Sequence, residues 1–291
     1  MAVLEYLPDQ PLYHYCSQQG FEGILRSKSL WFSDLRKMND PRELVLGLDR
    51  ILETLKLVRH DEFAGERGGI LSILAARIST FIENFNSFCC CFSLAGDELP
   101  LWREYTGLKG LCIGFKPTAL NDIQARLQKV GYLEDSTPAT LKAKIIDIAN
   151  ELQFYENERD PKTLITATVN AIAIITALKH QSWAYEQEIR MIHVQTKSEP
   201  NEEDGTWVSI DGEIDEWIKP STRLSGGNIV EYLEFPFGRY RLGDKKHTRA
   251  IDSVIIGPAC QLSKTAVLNL LYKYGYDNVN VKKSDCKIRT R

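Results

Sequence analysis

The hydrophobic residues follow the period of strands near both ends of the chain and the period of helices in the middle. Apolar runs and alternation predict strands at residues 12–15, 29–33, 88–92, 111–115, 188–194, 207–210, 229–235, 254–256 and 279–281. Helical spacing predicts helices at 20–27, 44–55, 70–85, 141–154, 164–178 and 263–274, and residues 100–105 predict an aromatic turn. Strand-rich ends around a helical middle predict an α+β fold.

We interpret the whole chain, residues 1–291, as a single α+β domain with a mainly helical insertion at about 117–180. No repeat of fixed period and no low-complexity segment marks a boundary. The composition, 43% hydrophobic and 26% charged, excludes a disordered or fibrous chain. Because 36 Lys and Arg face 39 Asp and Glu, a nucleic-acid partner would need a local basic patch.

The chain shows no sign of a membrane or secreted protein. Residues 1–11 lack the basic and then apolar order of a signal peptide, and the uncharged stretch 164–178 is shorter than the ~20 residues that cross a bilayer. Seven cysteines, three of them consecutive at 89–91, form a poor disulfide framework and lack zinc-site spacing. We therefore expect a cytoplasmic protein with reduced thiols, no metal and no membrane partner.

Two early motifs have both a functional and a structural interpretation. His14, between Tyr13 and Tyr15, is suited to bind a ligand at the end of a strand, but a half-buried histidine in an aromatic strand gives the same pattern. In Asn39-Asp40-Pro41-Arg42-Glu43, helix capping explains Asp40, Pro41 and Glu43 and leaves Asn39 unexplained.

Two further groups of polar residues are candidates for a cleft. Ser93 at the end of a buried strand, with Tyr105 nearby, suits the rim of a site for a flat ligand, and core packing explains it equally. If the segment around them is extended, Glu186, Glu188 and Arg190 share one face. Such a row is either a salt-bridged strand surface or a polar cluster in which carboxylates stabilise positive charge or accept protons.

A basic segment follows the predicted strand 229–235. Its cations, with a tyrosine among them, suit a phosphate-rich acceptor, although a solvated loop has the same composition. The candidate acceptor-binding residues are Arg239, Arg241, Lys245 and Lys246. The signatures of P-loop enzymes, dinucleotide-binding Rossmann folds, serine hydrolases and zinc proteases are absent from the sequence.

An ordered set of motifs across most of the chain resembles a large bacterial family of unknown function. The set comprises Leu12–Ser17, Ile24-Leu25, Leu30–Ser33, Asn39–Pro41 with Glu43, Cys91–Ser93, Leu101-Trp102, Tyr105, Tyr185-Glu186, Glu188, Arg190 and Ile255–Pro258. The chain departs from the family pattern at Cys16, where threonine is usual, and at Ile189, where an aromatic residue is commoner.

That family in turn resembles the ADP-ribosyltransferase superfamily, which implies a split β core, here with a helical insertion. The resemblance implies that His14 holds the ribose next to nicotinamide and that Glu188 orients the ribose 2′-hydroxyl and stabilises the oxocarbenium-like transition state. It also implies stacking of nicotinamide on a tyrosine and a supporting shell around NAD. The implied cofactor-binding residues are Tyr13, Tyr15, Ser33, Ser93, Tyr105, Glu186 and Arg190.

The resulting hypothesis is a bacterial toxin or anti-phage effector that transfers ADP-ribose from NAD, without a metal, to nucleic acid or protein. An antitoxin or other regulatory partner would fit such a role. Two alternatives stay open: an enzyme that processes nucleotides or nucleic acid without ADP-ribosylation, with Glu186 and Glu188 as acid and base, and a module that binds nucleotides or nucleic acid without turnover.

Overall fold

The computed structural model describes residues 6–38, 42–61, 67–121, 123, 125–133, 139–156, 161–197, 217–238 and 249–288. The predicted strand at 207–210 and the capping residues Asn39, Asp40 and Pro41 lie outside these ranges. Within them, the predicted α+β class is confirmed, because strands dominate both ends and long helices the middle.

The described residues form twelve strands and eight helices. The strands are β1 (Leu12–Cys16), β2 (Ser29–Asp34), β3 (Phe85–Ser93), β4 (Leu111–Phe115), β5 (Arg126–Lys129), β6 (Gly131–Leu133), β7 (Leu178–His180), β8 (Glu188–Thr196), β9 (Ser221–Ser225), β10 (Asn228–Pro236), β11 (Ile251–Ile256) and β12 (Asn280–Lys283). The helices are α1 (Gln18–Ser27), α2 (Glu43–Asp61), α3 (Arg67–Asn84), α4 (Leu99–Thr106), α5 (Pro117–Leu120), α6 (Ala139–Glu156), α7 (Pro161–Thr176) and α8 (Lys264–Lys273).

Strand β3 is the centre of a ten-stranded mixed sheet. Strand β8 pairs antiparallel along one entire edge of β3 and begins with Glu188, which lies opposite Ser93 at the end of β3. The other edge is shared, because β2 pairs with it at Phe88 and Cys89 whereas β1 pairs with it at Ser93. The sheet therefore divides into two limbs, which we name the β1 limb (β1, β4, β11, β12) and the β2 limb (β2, β10, β9), while β5 extends it beyond β8.

The alternation of side chains gives the sheet two different faces. Phe92 and Ile189 lie on the face that packs in a large apolar core with helices α1 and α8, and we call it the core face. Ser93 and Glu188 point the other way, onto what we call the charged face. At the start of β8, from Glu188 to Met191, charged and apolar residues alternate, so a shift of one residue in register would exchange the two faces there.

A second apolar core joins four helices, with Ile51 of α2, Leu74 of α3, Ile145 of α6 and Ile175 of α7 among its members. Two of these helices come from before β3 and two from after β5. The stretch 117–180 therefore supplies two helices of this core and also β5, which belongs to the main sheet.

Residues 100–105 form most of helix α4, and the prediction of a turn is wrong. Pro100 lies in the first turn of the helix, where its missing N–H leaves no hydrogen bond unmade. Leu101 and Trp102 are buried, and Tyr105 lies one turn further along and is partly exposed. The spacing is therefore helical, although proline and glycine at the two ends give the segment the composition of a turn.

In the described part of the chain, every helix is too short or too polar to cross a membrane.

Candidate active site

Five charged side chains meet on the charged face where β3 ends and β8 begins. Glu43 begins α2, Lys179 lies in β7, Glu186 ends a 3₁₀ turn that precedes β8, and Glu188 and Arg190 lie on β8 itself. Each of these side chains is at most 6% exposed. We call this group the ionic cluster.

Lys179 contacts all three carboxylates of the cluster. Its Nζ lies 2.5 Å from Glu186 Oε2, 3.0 Å from Glu43 Oε1 and 3.2 Å from Glu188 Oε2. The ammonium also lies 4.7 Å from the centre of the Trp183 ring, which adds a cation–π contact. An ammonium with three donors thus satisfies one oxygen on each of three elements and fixes their relative positions.

Arg190 binds two of these three carboxylates, those of Glu188 and Glu43. Its Nε donates to Glu188 Oε1 at 2.8 Å, and its Nη2 donates to Glu188 Oε2 at 3.0 Å and to Glu43 Oε1 at 2.7 Å. Nη1 donates to the carbonyl of Thr176, the last residue of α7. The guanidinium therefore ties the sheet to the two helices α2 and α7.

Glu186 connects the ionic cluster to the protein surface. The hydroxyl of Tyr105, a residue that is 36% exposed, donates a hydrogen bond to Glu186 Oε1. Ser93 Oγ donates to the main-chain carbonyl of Glu186 at 2.6 Å, and the Glu188 N–H donates to the Tyr132 hydroxyl at 2.8 Å. These bonds hold both acidic residues from their main chains, so that their carboxylates are preoriented.

The two neighbouring acidic residues titrate in opposite directions. Burial and the adjacent charge of Glu188 raise the pKa of Glu186 above its ordinary value. Burial also acts to raise the pKa of Glu188, but the guanidinium of Arg190 and the ammonium of Lys179 outweigh it and hold that pKa at about 2. Glu188 therefore keeps its charge above its low pKa, and Glu186 is the group of the pair that takes up a proton more readily than an ordinary glutamate.

The cluster contains three carboxylates and two cations, so it carries one net negative charge when every group is ionised. Proton uptake by Glu186 makes the charges balance. Three described polar atoms in or beside the ionic cluster are buried without a hydrogen-bond partner: Glu43 Oε2 and both amide atoms of Gln128. Gln128 lies on β5 directly opposite Arg190. The site therefore retains polar groups beyond those that its own ion pairs use.

His14 lies one strand away from Glu188 but on the other face of the sheet. Its β1 neighbour Tyr13 pairs with Ser93 on the charged face, so alternation turns His14 toward the core face, where its ring lies 5.7 Å from that of Phe92. Its Nδ1 donates to the carbonyl of Cys91 at 2.9 Å, and burial lowers the pKa of the imidazole. The two predicted catalytic side chains do not line a common cleft here.

The predicted tyrosines on β1 reach the charged face but take different positions. Tyr15 donates to the Ala95 carbonyl at 2.9 Å, accepts from the Glu98 N–H and packs edge-on against Trp102. Tyr13 is half-buried over the backbone of Gly114. Of the predicted stacking residues, Tyr105 is therefore the one that contacts the ionic cluster.

Ser33 lies in the β2 limb, where it accepts a hydrogen bond from Arg223 Nη2 at 2.9 Å. It is on the charged face but not in the ionic cluster, because it pairs with Cys89 at the middle of β3 rather than at its end. The predicted acceptor-binding residues Arg239, Arg241, Lys245 and Lys246 lie outside the described residues.

Sequence reasoning missed two members of the cluster. Helix capping alone accounts for Glu43 in the sequence, and Lys179 follows directly after the uncharged stretch 164–178. Glu43 could have been found because it belongs to the set of motifs that resembles the bacterial family of unknown function. Nothing in the sequence around Lys179 distinguishes it from a surface lysine. No group of His, Cys, Asp and Glu among the described residues is arranged to hold a metal ion, and all seven described cysteines are free.

Comparison with protein families gives a match to part of the chain. A family model described as a protein of unknown function (DUF2971) matches residues 101–191. This stretch runs from α4 into β8 and holds four of the five residues of the ionic cluster, all except Glu43. The similarity supports a relationship to a domain family of unknown function. No curated protein and no solved structure matches the chain.

Proposed function

We propose that the protein is an NAD-dependent ADP-ribosyltransferase whose reacting carboxylates are Glu186 and Glu188. The observation that carries the proposal is a pair of buried carboxylates with opposite pKa shifts beneath a partly exposed tyrosine, Tyr105. One carboxylate keeps its charge and the other exchanges a proton, which is the division of roles that a glycosyl transfer requires.

The proposed reaction breaks the bond between ribose C1′ and the nicotinamide nitrogen. The bonding electrons leave with nicotinamide, which departs neutral, so positive charge develops on the ribose. The net negative cluster stabilises that charge more strongly in the transition state than in the ground state. An acceptor hydroxyl or amine then bonds to C1′ and gives its proton to the Glu186 carboxylate.

The order of the elements supports the same proposal. A strand bearing His14, a helix and a second strand are followed much later by a strand that begins with Glu188, and all three strands meet β3. This order matches the resemblance to ADP-ribosyltransferases. The proposal departs from it in one respect: His14 positions the end of β3 through the Cys91 carbonyl rather than contacting the ribose.

Nicotinamide release from NAD tests the proposal directly. The wild-type protein should release nicotinamide, at a rate that rises with pH through a value above 4.5, the ordinary pKa of Glu186. Glu186→Gln should lower the rate at least about a hundredfold, as expected for loss of a general base. Glu53→Gln changes an exposed carboxylate of α2 and serves as the matched control.

The acceptor is found by mass spectrometry of RNA, DNA and protein from bacteria that express each variant. An added ADP-ribose mass in the wild type that is lost in Glu186→Gln supports the transferase, and slower growth of the host in the same pattern supports a toxin or anti-phage role. Intact NAD after incubation with folded wild-type protein would falsify the proposal.

The opposite pKa shifts of Glu186 and Glu188 also favour a second candidate, an enzyme that cleaves nucleotides or nucleic acid by acid–base chemistry without ADP-ribosylation. It predicts product formation without NAD that is lost in Glu186→Gln. If the protein is a binding module instead, a nucleotide should raise its Tm while no product forms in any variant.

A further inference from the structure

Trp31 and Tyr232 form an exposed aromatic pair on the β2 limb. Their ring centres are 4.4 Å apart with a 30° tilt, and Trp31 is 45% exposed although it lies inside a strand. Ser33, next but one to Trp31, pairs with both Tyr232 and Cys89. The aromatic pair is therefore on the charged face, the same face as the ionic cluster.

Arg223 of β9 is fixed beside this pair. Its guanidinium carbon lies 5.6 Å from the centre of the Trp31 ring, and its Nη2 donates to Ser33 Oγ at 2.9 Å. Its buried Nε has no hydrogen-bond partner among the described residues. A guanidinium held by two contacts loses little further entropy when it binds a ligand, and it still has donors to offer.

We propose that the surface formed by Trp31, Tyr232 and Arg223, which we name the aromatic platform, binds a base and the adjoining phosphate of single-stranded nucleic acid. The exposed indole offers a flat surface on which any base can stack, and the Tyr232 ring packs against the indole and fixes its position. Arg223 supplies the positive charge for a phosphate. Glu234, exposed and paired with Trp31, supplies an acceptor for amino groups at the edge of a base.

The neighbours of the platform favour nucleic acid over a protein partner. Leu224 and Ile229 are 80% and 69% exposed, but alternation turns both away from Arg223 and onto the opposite side of the hairpin. The hairpin positions that share the platform's side are Ser221, Ser225, Asn228 and Val230, and Val230 is only 5% exposed. A single aromatic surface framed by polar residues and one fixed cation lacks the apolar continuity of a protein interface.

The platform deepens the proposed function, because it would hold the acceptor of the ADP-ribosyl group and it shares a face with the ionic cluster. The role of the platform as an acceptor site rests on the proposed transferase function, whereas its binding of nucleic acid does not. Binding of nucleic acid is measured without NAD, so a negative result would not change the test by nicotinamide release. Conversely, a Glu186→Gln variant that no longer releases nicotinamide should still bind nucleic acid.

Fluorescence anisotropy with a short dye-labelled single-stranded RNA at several salt concentrations tests the platform. Trp31→Ala should weaken binding about tenfold through loss of one stacked base, and Trp31→Phe should restore most of it. Arg223→Gln should lower the slope of log K against log salt by about one, as for one phosphate contact.

Leu224→Ala is the matched control, because it changes the same hairpin on its other side. It should bind as the wild type does. The proposal is overturned if the wild type does not bind the RNA, if Trp31→Ala binds as tightly as the wild type, or if Leu224→Ala causes the larger loss. The last result would place the RNA on the opposite side of the hairpin.

Discussion

Arg190 donates two hydrogen bonds to Glu188, the residue two positions earlier on the same strand, at 2.8 and 3.0 Å. Both side chains project from the charged face of β8, so the pair forms within one strand and does not depend on a loop for its alignment. Arg190 is 1% exposed, and it also binds Glu43 of α2. A local pair is thereby linked to the packing of the helices on the sheet.

Removal of one partner from this buried network should be costly. Arg190→Met leaves Glu188 and Glu43 with only one of their two cations, Lys179, and is expected to lower the free energy of unfolding by about 3–5 kcal/mol. Arg50→Met breaks a pair with Glu53, whose side chain is 52% exposed, and should cost less than about 1 kcal/mol. Urea denaturation measures both, and equal losses would show that burial of the network adds nothing.

Acid should destabilise the protein through Glu188. The folded pKa of about 2 lies below the ordinary value of 4.5, so ionised Glu188 stabilises the fold above pH 4.5, and this contribution is lost as the pH falls toward 2. The loss should be on the order of 3 kcal/mol across that window. Denaturation at a series of pH values measures it, and the slope should be flatter in Glu188→Gln; an unchanged slope contradicts the prediction.

Two helical glycines should respond to alanine in opposite directions. Gly23 lies in α1, where a Cβ would have no neighbour within 4 Å, so Gly23→Ala should stabilise by about 1 kcal/mol. Gly47 lies where α2 crosses α7, and a Cβ there would come within 2.3 Å of the Ile175 carbonyl oxygen. Gly47→Ala should therefore destabilise by about 2 kcal/mol or more. Thermal unfolding measures both, and an increase in Tm for Gly47→Ala would show that the two helices separate readily.

Two buried glutamines form a similar contrast. Gln195 accepts from the Ile218 N–H and donates to the Ile218 carbonyl, so Gln195→Met should cost about 1–3 kcal/mol by leaving both main-chain groups unpaired. Neither amide atom of Gln128 has a partner among the described residues, so Gln128→Met should be neutral or stabilising. Chemical denaturation compares them, and a large loss for Gln128→Met would indicate a bound water or ligand at its amide.

The position of His14 predicts a mild effect on turnover. His14→Asn should lower the rate of nicotinamide release less than about tenfold, because the imidazole faces away from the Glu186–Glu188 pair. Tyr105→Phe removes a hydroxyl that contacts Glu186 and should lower the rate more. If His14→Asn is as inactive as Glu186→Gln, the imidazole contacts the substrate after all.

The longer strands and helices could be predicted because their residues repeat at regular spacing, whereas the strands β5, β6, β7 and β9 and the short helix α5 were not predicted. The apolar runs at 88–92 and 111–115 identified two central strands, and the spacing of Glu188 and Arg190 placed both on one face. Helix α4 was missed because Pro100 near its start and Gly107 after its end suggest a turn.

The assembly of the site could not be read from spacing. Glu186 does not lie on the same strand as Glu188, because Gln187 has a φ of 45° and the residues before it form a 3₁₀ turn. The approach of Lys179 and Glu43 depends on how the four-helix core packs on the sheet, which is a contact between distant segments. Hydrophobic periodicity indicates which face of a strand or helix is buried, but not which distant segment of the chain packs against that face.

The pairing of β3 with β8 also has a consequence for folding kinetics. Every hydrogen bond between them joins residues 85–93 to residues 188–196, so this central pair forms only after the chain from Ser93 to Glu188 has closed into a loop. Contacts of such high sequence separation slow folding, whereas the neighbouring helices α2 and α3 meet through a short connection. We expect the helices to gain protection from hydrogen exchange early in refolding and the centre of the sheet to gain it last.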